Sequence, residues 1–118
     1  MSVRAVALSP DADRVLSGGN DGTARVWSAD DGAELCRFDG HNGWWGFHGV
    51  TGVAWLPGGG QVLSAGEDGT LRRWDPATGA ELQRFDHGKG IRCLAASGDG
   101  RLAITGGWAG SLRIWQRG

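Results

Sequence analysis

Serine, histidine and aspartate are the residue types in this chain best placed for chemistry. Histidines stand at His41, His48 and His87, and two Ser–Asp pairs, Ser17 with Asp21 and Ser64 with Asp68, share a four-residue interval. A Ser–His–Asp set is the equipment of acyl-transfer hydrolysis, with the imidazole taking the hydroxyl proton and the carboxylate orienting the ring. The other reactive groups point nowhere specific. Cys36 and Cys93 sit in no CxxC or metal-like spacing and read as reduced thiols packed within strands. No cluster of His, Cys and carboxylates has ligand spacing, and the glycines do not open a helix as a phosphate loop requires. The residues imply no cofactor and no metal.

A second group suits recognition. The segment Asn42–Gly49 holds Trp44, Trp45, Phe47 and His48, and Trp108 lies in a later turn. Aromatic side chains bring large contact area at low entropic cost, so this group is a candidate partner-binding surface. The alternative is that the rings fold onto their own scaffold or onto a neighbouring subunit. Arg73 is a further candidate, because it stands where apolar residues are expected.

The elements that position these residues emerge from self-comparison. Val6-Ala7-Leu8-Ser9-Pro10 aligns with Val53-Ala54-Trp55-Leu56-Pro57 and with Leu94-Ala95-Ala96-Ser97-Gly98. Val15–Gly19, Val62–Gly66 and Ala103–Gly107 form a second set. Asp21–Trp27, Asp68–Trp74 and Ala109–Trp115 form a third. Trp27 and Trp74 are 47 residues apart, Trp74 and Trp115 are 41 apart, and the surplus falls in the Trp-rich segment. Within each unit, apolar residues alternate with a period of two, the mark of half-buried strands. The 23 glycines among 118 residues supply the turns. Asp-Gly pairs predict tight hairpins with positive φ at both central residues.

In-phase repetition of this kind resembles the WD40 repeat family across essentially the whole chain. The residues that carry the resemblance are Gly40-His41 ahead of a strand, the Asp-Gly hairpins, the strand-ending tryptophans, and Trp74-Asp75, the Trp-Asp pair itself. The resemblance implies an all-β fold of β-propeller blades, each a four-stranded antiparallel sheet. Blade 1 is expected near 3–38, blade 2 near 50–85 and blade 3 near 91–116, the third lacking its outer strand. Its last strand, ending at Trp115, is then an open edge able to accept a strand from a partner.

The resemblance also gives the polar residues a structural role, a hydrogen-bonded tetrad of His, Ser or Thr, Asp and Trp. Blade 2 offers Ser64, Asp68 and Trp74 with His41 or His48. Blade 1 offers Ser17, Asp21 and Trp27 without a preceding histidine. Blade 3 offers His87, Thr105 and Trp115, but Trp108-Ala109-Gly110 replaces the Asp-bearing turn, and His87 lies one residue early. With each member so engaged, catalysis is not expected. Arg25, Arg72 and Arg113 recur at one position and imply a packing role for their stems. Val26 and Ile114 occupy the position of Arg73, which therefore needs a carboxylate partner or an aqueous rim.

Three blades leave two apolar faces uncovered. At on the order of 500 Å² per face and about 25 cal/mol/Å², these forgo roughly 25 kcal/mol of gross burial. Domain stability is only about 5–15 kcal/mol. The expected partners are therefore copies of the chain, a dimer giving six blades or a trimer nine, or the remaining blades of a larger propeller. A protein or peptide partner is expected on the top face, shared by the Trp-rich segment and Trp108. A net charge of −1 and the lack of a basic stripe disfavour nucleic acid. No apolar run spans a bilayer, and strand pattern from Val3 onward leaves no room for a signal peptide. A cytoplasmic, non-enzymatic interaction scaffold is the reading that results. The alternatives are a lectin-like propeller whose tryptophans stack on sugars or another small molecule, and a fragment of a larger WD40 protein.

Overall fold

The computed structural model describes residues 2–41, 49–88 and 90–116, Ala109 by its backbone alone. These residues form three antiparallel sheets. The first contains β1 (Val3–Leu8), β2 (Arg14–Gly19), β3 (Ala24–Ser28) and β4 (Glu34–Phe38) in that order. The second contains β5 (Val50–Trp55), β6 (Val62–Gly66), β7 (Thr70–Trp74) and β8 (Glu81–Asp86). The third has β9 (Ile91–Ala96), β10 (Leu102–Gly107) and β11 (Leu112–Gln116), so β11 is an edge. Each sheet is a simple meander, and successive sheets stack face to face as partial propeller blades.

Two clusters form the core, one at each junction between blades. Leu16, Ala24, Val26 and Phe38 of blade 1 meet Val62 and Trp74 of blade 2. Leu56, Leu63, Ala65 and Leu71 on the other face of blade 2 meet Ile91 and Ala103 of blade 3. Blade 2 is thus apolar on both faces because both are covered. The junctions are closest at the first strand of each blade, where Gly52 allows β5 to reach β9. A Cβ at that position would collide with Leu94. Polar links cross as well: Trp55 Nε1 donates to the Ala7 carbonyl at 3.0 Å, and Thr51 Oγ1 to that of Ile91 at 2.6 Å.

The hairpins differ from the expectation. In the Asp-Gly turns only the glycine has positive φ, 84° at Gly22 and 81° at Gly69. Gly22 N donates to the Gly19 carbonyl while Gly19 N donates to that of Thr23, a wider turn closed by a left-handed glycine. Asp21 and Asp68 keep ordinary backbone geometry, because each carboxylate is occupied by the amide and hydroxyl two residues on, at Thr23 and Thr70.

The turn between the first two strands of each blade has a left-handed residue at one shared position, joined in blade 2 by Gly58 beside it. Gly59 and Gly100 supply it in blades 2 and 3, at φ 73° and 74°, but in blade 1 it is Ala12 at φ 62°. A Cβ in this region is disfavoured. Ala12→Gly is expected to stabilise the chain by about 0.5–1 kcal/mol in urea denaturation, despite the freer unfolded chain that glycine brings.

Candidate functional site

The polar residues converge on one end of each blade. In blade 2, His41 and Ser64 have no exposed surface. Trp74 Nε1 donates to Ser64 Oγ at 3.1 Å, and Ser64 Oγ lies 2.7 Å from His41 Nε2. His41 Nδ1 reaches Asp68 Oδ1 at 3.1 Å. A consistent assignment runs one way: indole N–H to serine, serine O–H to Nε2, Nδ1–H to carboxylate. Burial alone would raise the Asp68 carboxyl, but the bonds from His41 and Thr70 outweigh it and hold the group below the usual carboxylate range. The atom order is that of a hydrolase triad. However, the nucleophile and base are sealed from substrate, and the Ser64 oxygen is already committed to Trp74. The imidazole is His41; His48, the other possibility, lies outside the described residues.

Arg72 extends this network. Its guanidinium donates to Asp68 Oδ2 at 3.3 Å and to Glu81 Oε1 at 2.7 Å, tying the tetrad to the outer strand β8. Blade 1 repeats the arrangement without histidine: Trp27 Nε1 to Ser17 Oγ at 2.8 Å, and Arg25 between Asp21 and Glu34 at 3.2 and 3.0 Å.

Blade 3 departs from the family pattern. His87 Nδ1 meets Thr105 Oγ1 at 2.7 Å, Trp115 Nε1 donates to the same hydroxyl at 2.9 Å, and His87 Nε2 meets Ser111 Oγ at 3.0 Å. Ser111 therefore stands in for the missing aspartate. The ring engages Thr105 through the opposite nitrogen from that used in blade 2, which accommodates the one-residue offset of His87. Motif matching overlooks Ser111, since a hydroxyl two residues beyond the aspartate position carries no signature of its own.

Burial, and then the charge of Arg113, push the His87 imidazole below its ordinary value. The unfolded chain then takes up a proton that the folded chain refuses. Stability is full above the unfolded value of about 6.5 and falls as pH drops through it toward the lower folded value. Thermal unfolding at a series of pH values should show this loss, and His87→Gln should flatten it.

Around the top of the first strands, the structure joins Trp108, a residue expected to bind a partner, with four residues that motif reading passes over. Arg4, Thr51, Glu67, Arg92 and Trp108 line one recess of about 220 Å³. Trp108 is 49% exposed, with the Arg92 guanidinium 4.6 Å from its ring centre. Arg4 pairs with Glu67 at 2.7 Å. The available signal was repeat position: Arg4, Thr51 and Arg92 are equivalent residues of β1, β5 and β9, as are Asn20, Glu67 and Trp108 of the turns. Gly49 abuts Arg4 and Glu67. The segment it closes, with Trp44, Trp45, Phe47 and His48, lies outside the described residues.

Arg73 lines a separate cavity of about 190 Å³ between blades 2 and 3, together with Leu63, Leu71, Phe85 and Trp115. Of the two settings expected for it, a carboxylate partner or an aqueous rim, no carboxylate pairs with it among the described residues, and two amides accept from it at an edge open to solvent. Nη1 donates to Gln61 Oε1 at 2.6 Å and Nη2 to Gln83 Oε1 at 2.9 Å. Half-buried at the blade edge, the guanidinium stays partly hydrated, so neutral acceptors suffice. No group of three or more His, Cys, Asp or Glu suited to a metal occurs among the described residues.

Comparison with known proteins agrees with this architecture. The family described as WD domain, G-beta repeat matches residues 1–28, 32–75 and 79–116. WD repeat-containing protein 86 of Homo sapiens is 50% identical over 36 residues, which are 30% of this chain and 10% of that protein. The chain thus matches only a small part of that relative's length.

Proposed function

The chain belongs to the WD40 repeat family, and on that footing we propose that it is a non-catalytic interaction scaffold whose copies associate head to tail into a closed propeller. WD40 repeat domains generally serve as platforms for protein–protein interaction. The observation that carries the self-association is that the two uncovered faces match the two halves of a junction the molecule already makes twice. On blade 3, Ile104 and Ile114 are 39% and 63% exposed, while their equivalents Leu16 and Val26 are fully buried against blade 2. On blade 1, Val6 and Leu8 are 68% and 59% exposed. Their equivalents Val53 and Trp55 pack into the first junction. Apolar surface of this extent marks an interface. Because the two faces differ, the contact is heterologous, and a ring is the arrangement that leaves none open.

On the assembled ring, the recess of Arg4, Glu67, Arg92 and Trp108 supplies the partner-binding surface. An exposed indole stacked by a cation, beside a salt bridge, suits a polar peptide with an aromatic or acidic side chain. The two thiols, both free, fit a reducing cytoplasmic setting. Among the described residues, no helix is long and apolar enough to cross a membrane.

Light scattering across a concentration series tests the proposal. A discrete dimer or trimer is expected, and a folded monomer at all concentrations overturns the self-association.

A further inference from the structure

The two junctions between blades carry different residues at equivalent positions. In the first, Trp55 packs on the core cluster, held by its N–H on the Ala7 carbonyl and by the Arg14 guanidinium 4.7 Å from its ring centre. In the second, repeat alignment puts Ala96 in place of Trp55, Gln61 in place of Arg14 and Ala103 in place of Val62. Leu71 and Leu94 are larger than their counterparts Ala24 and Val53, but by less than an indole. The cavity of about 190 Å³ lies at this second junction, between Leu63, Leu71 and Phe85 of blade 2 and Ala103 and Trp115 of blade 3. Close-packed interiors hold few voids larger than a water molecule, so this one is a specific feature of the junction. Its walls come from strands present in both blades. At the first junction, among the described residues, the outer strand of the following blade, β8, adds nothing to the buried cluster.

The charged groups of the cavity are all of one sign. Arg73 and Arg101 line it, and among the described residues no aspartate or glutamate does. Of the five N–H groups of a guanidinium, Arg73 uses two on Gln61 and Gln83. An apolar void with a cation at its rim and no carboxylate to match it is complementary to a small anion with an apolar body. An enclosed apolar cavity of about 150 Å³ admits benzene, so there is room here for one ring and a short arm. A planar carboxylate fits the planar fork of the guanidinium. We infer that this cavity binds a small arylalkanoic acid, its ring among Leu63, Leu71, Phe85 and Trp115 and its carboxylate on Arg73. The site uses neither ring closure nor the recess at Trp108, so it stands apart from both.

The test titrates 3-phenylpropionate into the whole chain labelled with nitrogen-15, with the Trp115 indole N–H as the NMR reporter. Saturable shifts at Trp115 are expected. The neutral isostere 3-phenylpropionamide should bind about tenfold more weakly, the span of a lost charge-assisted bond. In the protein, Arg73→Gln should abolish the preference for acid over amide. Ala103→Leu, which fills the cavity from β10, should remove the binding of both. Adsorption of the probe on the exposed faces of blades 1 and 3 would leave the preference independent of Arg73 and the binding indifferent to Ala103→Leu. Absence of saturable binding, equal affinity of acid and amide, a preference that survives Arg73→Gln, or undiminished binding by Ala103→Leu would each overturn the proposal. The comparison of acid with amide is made on the unaltered protein, so it does not depend on the folding of either variant.

Discussion

Trp74→Ala is expected to cost about 3–5 kcal/mol, enough to leave the chain largely unfolded at moderate temperature. Trp74 has no exposed surface and is among the largest fully buried side chains. Its ring stacks on Phe38 at an interplanar angle of 10°, and its N–H holds Ser64. Removing it opens a cavity at the first junction and leaves Ser64, fully buried, with His41 alone. Trp27 is the control. It makes the same bond, to Ser17, but stands half-buried on an uncovered face. At dilutions where the copies are apart, Trp27→Ala should cost only about 1–2 kcal/mol. If the proposed ring forms, the gap between the two variants in urea unfolding should close as concentration rises, because association then covers Trp27. A gap constant with concentration would mean that blade 1 stays uncovered.

Val6→Glu and Ile114→Glu are expected to reduce the assembled chain to monomers. Each puts a carboxylate on one exposed face, at a side chain 68% or 63% exposed in the lone chain, so far-UV circular dichroism should not change. In a closed contact the same charge is buried without a partner, a cost of about 3–5 kcal/mol at each junction. Mixing the variants separates the possible geometries. In a head-to-tail contact, blade 3 of Val6→Glu still fits blade 1 of Ile114→Glu, so the mixture should form a heterodimer that neither variant forms alone. If instead like faces met, one of the two variants would keep its mass unaided, and the head-to-tail assignment would fail.

What the sequence determined by itself is the repeating architecture. Alternation with a period of two, the recurrence of Trp27, Trp74 and Trp115, and glycine at the turns are local or periodic properties, and these place strands and align blades without any coordinates. The blade 2 residues Ser64, Asp68 and Trp74 were legible for the same reason, since strand pairing brings them near one another once the register is set.

Tertiary structure alone decided which side chains meet. His87 and Ser111 are 24 residues apart, and their contact depends on ring orientation and turn geometry rather than on spacing. The Asp-Gly turns took one positive φ instead of two because the aspartate was held by Thr23 or Thr70, a competition invisible in a dipeptide. Arg73 found Gln61 and Gln83 because β8 and the residue leading into β6 flank it at a hydrated blade edge. The inequality of the faces also belongs to this level. Leu16 and Ile104 are equivalent apolar residues, yet one is fully buried and the other 39% exposed, because burial is a property of what packs alongside and not of the residue.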